Sequence, residues 1–308
     1  MFFFFKRLVE KSKAIIPFQV RFPLYLWSFF CRCFFLCNIS EIQAKSCVID
    51  TEHFPTIGMF AAANLIIGQI HLYERGDLPD YQGLVVDFGP HGLYYEPTRG
   101  LNWWAYFFEP ISIGVQSASP FHISWEEGCD AFRAKSALPR KEALALVKKY
   151  IHLQPHIQKK VCEFVETYFH GIYTIGVHYR GTDKHSEAPR IDYSVVIAAV
   201  KDQIPSQRPY QIFVASDEKQ FVEAMEREFP SQVIARNVYR STGSEGVHFS
   251  GHPPYKLGKQ ALVDSLLLSK CDLLIRTSSN LSLWSTYFQP DIPVILLSER
   301  YERCAEPE

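Results

Sequence analysis

The chain of 308 residues carries 32 Lys and Arg against 33 Asp and Glu, a formal charge of −1, and 47% of it is hydrophobic. That composition excludes an intrinsically disordered chain, and the absence of a polybasic field speaks against nucleic acid as partner. The length suffices for a large core and for two domains. The eight cysteines include no pair of C-x-x-C elements, so no structural zinc site is expected and the thiols are read as mostly reduced.

Residues 1–44 begin with Lys6, Arg7, Lys11, Lys13 and Arg21, followed by an apolar run from Phe22 to Cys37 broken by Ser28 and Arg32. A spanning helix needs about 20 apolar residues, and a charge at its centre costs about 3 kcal/mol. The segment reads as a marginal membrane anchor, a surface-lying element or a core element. The chain is accordingly either membrane-associated or cytoplasmic, and no A-x-A-like site marks a signal peptide.

CVIDTE at 47–52 predicts a short strand, and the small and apolar residues from Met59 to Tyr73, between Gly58 and Gly76, predict a buried helix. LVVDF at 84–88 predicts a buried strand ended by Gly89 and Pro90. The stretch from His91 to Phe108 reads as a wet, aromatic loop. Its Trp103 and Trp104, with Tyr94, form either a stacking platform for a glycan or core. Residues Leu138 to His170 are helical in texture and divided at Pro155, which places a boundary between lobes 45–170 and 171–308.

Beyond His170, strands are predicted at 173–178, 211–215, 233–235, 273–275 and 294–297. Helices are predicted at 191–199, 218–228, 257–269 and 281–288. This alternation implies α/β architecture with a mostly parallel sheet covered on both faces.

Polar residues cluster where the predicted strands end. IGVHYRGTDK at 175–184 leaves a strand through His178, Arg180, Gly181, Asp183 and Lys184. Ligands of open α/β sheets bind beyond the carboxyl ends of strands. An arginine there can hold a phosphate bidentately, a glycine admits close backbone approach, and a lysine adds a second cation. The alternative is a salt-bridged Arg-Asp turn. The next strand ends in Ser216, Asp217 and Glu218, and Asp217 either caps the following helix or accepts hydrogen bonds from a ligand. The glycine-rich loop 241–258 either folds over a nucleotide or serves turns. Its His248 and His252 lack the spacing of metal ligands. Asp264, in an apolar helical run, anchors a loop, touches ligand or faces solvent. Ser278 or Ser279 caps the next helix, and that start is either an anion site built from its first N–H groups or a plain N-cap. The chain has no G-x-S-x-G elbow, phosphate-binding G-x-x-x-x-G-K-S/T loop or dinucleotide glycine motif.

GVHYRGTDK at 176–184, FVASDE at 213–218 and ALVDSLLLSKCDLLIRTSSNLS at 261–282 occur in that order, after DFGPHGLYYEPTRGLNWWAYFFEPI at 87–111. From about residue 48 onward the chain resembles the GDP-fucose-dependent fucosyltransferases, the group that includes the α1,6-fucosyltransferases, the rhizobial nodulation fucosyltransferases and the protein O-fucosyltransferases. The resemblance implies a GT-B-like fold of two Rossmann-like lobes, with the acceptor on the first and the donor on the second. It implies inverting transfer of fucose from GDP-fucose to a glycan or glycoconjugate hydroxyl, with no metal or other cofactor. Arg180 corresponds to the arginine on the GDP phosphates, Asp183 and Lys184 to the end of that motif, and Asp217 to an acidic donor-recognising position. Ser278 and Ser279 correspond to the phosphate loop. His178, Gly181 and Asp264 complete the expected donor site, and Asp183 and Glu187 are the candidate bases. The α1,6 enzymes carry a second arginine where this chain has Gly181; Lys184, Arg240 or Arg276 is the expected substitute. Another nucleotide sugar, or a non-catalytic carbohydrate-binding protein, is the alternative reading.

Overall fold

The computed structural model describes residues 45–90, 92–115, 119–182, 188–243, 246–247 and 251–298, and these belong to one compact unit. The apolar segment 1–44 lies outside the described residues. No helix among the described residues is long and apolar enough to cross a membrane.

The first half holds β1 (Lys45–Ile49), α1 (Met59–Arg75), β2 (Tyr81–Val86), β3 (Ser112–Gly114), β4 (Ser119–His122), α2 (Trp125–Ala137), α3 (Arg140–Tyr150) and α4 (Pro155–Tyr168). Its sheet has the order β3-β2-β1-β4, with β2 and β4 parallel to the central β1 and β3 antiparallel at the edge. The second half holds β5 (Tyr173–Tyr179), α5 (Tyr193–Lys201), β6 (Tyr210–Ser216), α6 (Lys219–Glu228), β7 (Val233–Ala235), α7 (Pro254–Leu268), β8 (Leu273–Arg276), α8 (Asn280–Phe288) and β9 (Val294–Leu296). Its sheet runs β7-β6-β5-β8-β9 with all pairs parallel. The chain winds outward from β5 in one direction and then in the other, which sets a topological switch point between β5 and β8.

β5 is buried on both faces, as double coverage demands. Ile175, Val177 and Tyr179 pack with Val196, Phe221 and Met225 of α5 and α6. On the other face, Phe213 of β6 meets Phe164 of α4 at 5.8 Å between ring centroids. α1 is buried along most of its length and ends at Gly76, whose φ of 76° is a left-handed cap that glycine adopts without strain. A Cβ on Gly68 would lie 1.9 Å from the Ala131 carbonyl oxygen, so α1 and α2 touch backbone to backbone. α8 is tied to α1 by Trp284 Nε1, which donates to Asn64 Oδ1 at 2.9 Å.

Two expectations for the first half are corrected. The stretch 92–108 is wet only in part: residues 97–101 are exposed, but Trp103, Trp104, Phe107 and Phe108 are fully buried. Trp104 stacks on Phe108 at 4.1 Å and Phe88 on Trp103 at 4.8 Å. Asn102 holds the turn by accepting from Trp104 N–H and donating to the Val86 carbonyl at 2.7 Å. Trp103 and Trp104 are therefore core, not a platform for glycan. The second correction is α2, which was not expected. Its start is written in the sequence as S-x-x-E: Ser124 Oγ accepts from Glu127 N–H and the Glu127 carboxylate accepts from Ser124 N–H.

Candidate functional site

β5, β6 and β8 end side by side, and their polar termini face one another. The N–H of Arg180 donates to Thr277 Oγ1 at 2.9 Å, joining the ends of β5 and β8. Arg180 Nη1 lies 3.0 Å from Asp217 Oδ2, joining the ends of β5 and β6. Asp217 also accepts the Gly181 N–H at 3.2 Å and the Thr182 hydroxyl at 2.5 Å. It does not cap α6: the residue at that cap is Glu218, and no side chain makes a capping bond there.

A cavity of about 110 Å³ opens at this edge. One end is polar, formed by His178, Arg180, Ser216, Asp217 and Ser279. The other is apolar, formed by Val238, Tyr239, Leu257 and Ala261, with Asp264 set into it. Tyr94, from the loop after β2, closes the cavity from the first half. Its hydroxyl accepts the Met59 N–H at 3.2 Å, which fixes the ring.

His178 is nearly fully buried, and its Nδ1 has no hydrogen-bond partner. Burial, then the Arg180 and Arg276 guanidiniums, push the imidazole down to about 3, so it stands neutral against the cavity. Ser279 caps α8 by accepting from Leu281 N–H at 3.3 Å, which leaves the helix start directed at the same space. Ser278 stands outside the cavity lining, and its N–H donates to Ser298 Oγ at 3.0 Å.

Asp264 faces a cation, not solvent. Arg236 Nη1 lies 2.6 Å from its Oδ1 and also donates to the Gln260 carbonyl at 3.1 Å. Arg240, one of the expected substitutes for a second arginine, donates to the Arg236 carbonyl at 2.8 Å. Arg276, another, donates to the Ser279 carbonyl and the Ser282 hydroxyl beneath the start of α8. Gly181 backs the site without room for a side chain, since a Cβ there would lie 2.4 Å from Glu218 Oε1. His252 stacks on Tyr239 at 3.7 Å between centroids. Asp183, Lys184, Glu187 and His248 lie outside the described residues.

The structure thus gathers His178, Arg180, Asp217, Asp264 and Ser279 around one cavity, although 101 positions separate the first from the last. Tyr94, read from the sequence as glycan platform or core, lines this cavity instead; Tyr239, Gln260 and Arg236 were not anticipated. Arg236 and Tyr239 follow one of the two shortest predicted strands, 233–235, where a polar residue after an apolar run was the available signal.

Residues 138–298 match the family model of nodulation protein Z (NodZ). No curated protein sequence matches the chain. Among solved structures, the fucosyltransferase NodZ from Bradyrhizobium is 16% identical, covering 86% of this chain and 99% of that one at a TM-score of 0.52. NodZ α-1,6-fucosyltransferase soaked with GDP-fucose is 16% identical over 80% and 93% at 0.51. The same enzyme co-crystallised with GDP is 15% identical over 82% and 94% at 0.50. These likenesses concern the fold, which is the two-sheet GT-B-like arrangement expected. Because the family model spans just over half of its length, the chain belongs to the NodZ family.

Proposed function

We propose that the chain is an inverting glycosyltransferase that moves fucose from GDP-fucose to a carbohydrate hydroxyl. The observation that carries this reading is the meeting of Arg180 and the start of α8 at the switch point of a parallel sheet, beside a cavity lined by both polar and apolar side chains. Family membership supports this reaction, as do NodZ α-1,6-fucosyltransferase structures co-crystallised with GDP and soaked with GDP-fucose.

The diphosphate lies at Arg180 and Ser279, and the base lies toward Tyr239 and Asp264. As the glycosidic bond breaks, negative charge grows on the departing diphosphate. Only contacts that strengthen with that charge lower the barrier. Arg180 is held in place for this by Asp217, and the N–H groups opening α8 add a fixed partial positive charge. Neutral His178 contributes a hydrogen-bonding nitrogen without a competing charge. In this reading the 171–308 lobe binds the donor and the 45–170 lobe the acceptor. Asp183 or Glu187 takes the acceptor proton, Lys184 adds positive charge, and no metal takes part.

Calorimetry with GDP-fucose, GDP-mannose, UDP and CMP, paired with a GDP-release assay, tests the proposal. GDP-fucose is expected to bind most tightly and to be turned over, with EDTA leaving the rate unchanged. Preference for another nucleotide would replace the donor, and binding without turnover against a broad acceptor panel would make the chain a lectin.

A further inference from the structure

The first sheet has its own switch point. β2 and β4 flank β1 on opposite sides and run parallel to it, so the carboxyl ends of β1 and β4 lie side by side at the switch point. Asp50 follows β1 and His122 closes β4, and His122 Nδ1 lies 2.5 Å from Asp50 Oδ2. The Asp50 side chain is 9% exposed and that of His122 is 61% exposed. Asp50 Oδ1 takes the Glu52 N–H at 2.9 Å, so the carboxylate is anchored from both oxygens. The imidazole meets the carboxylate through Nδ1, which leaves Nε2 for a hydrogen bond outside the pair.

The same two segments carry an aromatic surface. Trp125, three residues after His122, is 53% exposed. One face of its indole stacks on Phe54 at 4.8 Å with 21° between planes. Phe54 is itself fixed, edge-on to Phe132 at 5.6 Å and so close to Gly128 that a Cβ there would lie 2.6 Å from its ring. The indole is therefore held by packing while much of it remains in water, at a cost in hydration that a core or a ligand normally removes. This edge of the sheet is also the one from which the loop after β2 carries Tyr94 into the cavity beside Arg180.

We infer that the carboxyl edge of the first sheet is a carbohydrate-binding subsite, with Trp125 as its stacking surface and the Asp50–His122 pair as its hydrogen-bonding group. The flat C–H face of a β-linked pyranose covers an indole, while its equatorial hydroxyls point outward to groups such as Nε2 and the carboxylate. The subsite takes a neutral oligosaccharide, and it rests on the proposed transfer reaction, for which it seats the acceptor.

The test uses the full chain and saturation-transfer NMR with cellotriose, chitotriose and β-1,4-galactotriose as probes, followed by calorimetry on any that bind. At least one is expected to bind the unaltered protein. Trp125→Ala is expected to weaken it about tenfold or more, and Trp125→Phe, which keeps a ring on Phe54, to weaken it less. His122→Ala should reduce affinity several-fold, and because it leaves the buried Asp50 carboxylate without its partner it is also expected to lower the melting temperature. Absence of binding by all three sugars at about 10 mM, or equal affinity in Trp125→Ala and the unaltered protein, would overturn the inference. GDP-fucose titration of the unaltered protein reports separately on the second-sheet cavity, so failure of one reading is distinguishable from failure of the other.

Discussion

Arg180 and Asp217, from neighbouring strand ends, approach to 3.0 Å with only 15% and 9% of their side chains exposed. The pair has two consequences. The guanidinium is preorganised at the cavity, and its charge is balanced until an anion arrives. Arg180→Ala should lower GDP-fucose turnover by about 10²–10³ in a GDP-release assay. Asp217→Ala removes the balancing charge from a buried arginine and should destabilise the fold by about 3 kcal/mol in urea denaturation.

Gly181 has no space for a side chain. Glu218, the group in the way, is itself clamped by Arg190 at 3.1 Å and by the Tyr193 hydroxyl at 2.5 Å. The departure from a paired arginine therefore has a steric cause. Gly181→Ala should cost about 1–3 kcal/mol and Gly181→Arg more, both visible as a lowered melting temperature before any effect on donor binding is measured.

His178 is held down to about 3 by burial and by its arginine neighbours, whereas an unfolded imidazole titrates near ~6.5. Between these values the unfolded chain binds the extra proton. The contribution of His178 to stability is thus full above the unfolded value and is lost as pH falls toward 3. His178→Gln should flatten the fall in melting temperature over that window. Above it, turnover should show no pH dependence that this substitution removes.

Asp264 and Arg236 form a second buried pair at 2.6 Å. Asp264→Leu alone should destabilise the protein by about 3 kcal/mol, because it leaves the guanidinium buried and unpaired. Adding Arg236→Met should recover much of that loss in a double-mutant cycle. Donor affinity should stay reduced in the double variant, since the cavity has still lost its carboxylate.

The second half was largely legible because its strands are mostly apolar runs and those from β5 to β8 each precede a helix with its own apolar repeat. Those two periodicities placed β5, β6, β7, β8 and β9 to within two residues. The first half was harder to read. The aromatic run 101–108 looked like a loop for want of periodicity, yet it packs through ring stacking and one asparagine, interactions that leave no repeat in a sequence.

Residue order alone determined the alternating architecture and located Arg180, Asp217 and Ser279 at strand ends, because backbone periodicity and strand punctuation are local properties. Only the tertiary structure decided which ends became neighbours: the order β7-β6-β5-β8-β9 sets Asp217 and Thr277 on either side of Arg180. It also decided that Asp264 meets Arg236, that Trp103 and Trp104 are core, and that Trp125 remains exposed. Those outcomes depend on burial and on contacts between residues far apart in the chain, which a linear pattern does not encode position by position.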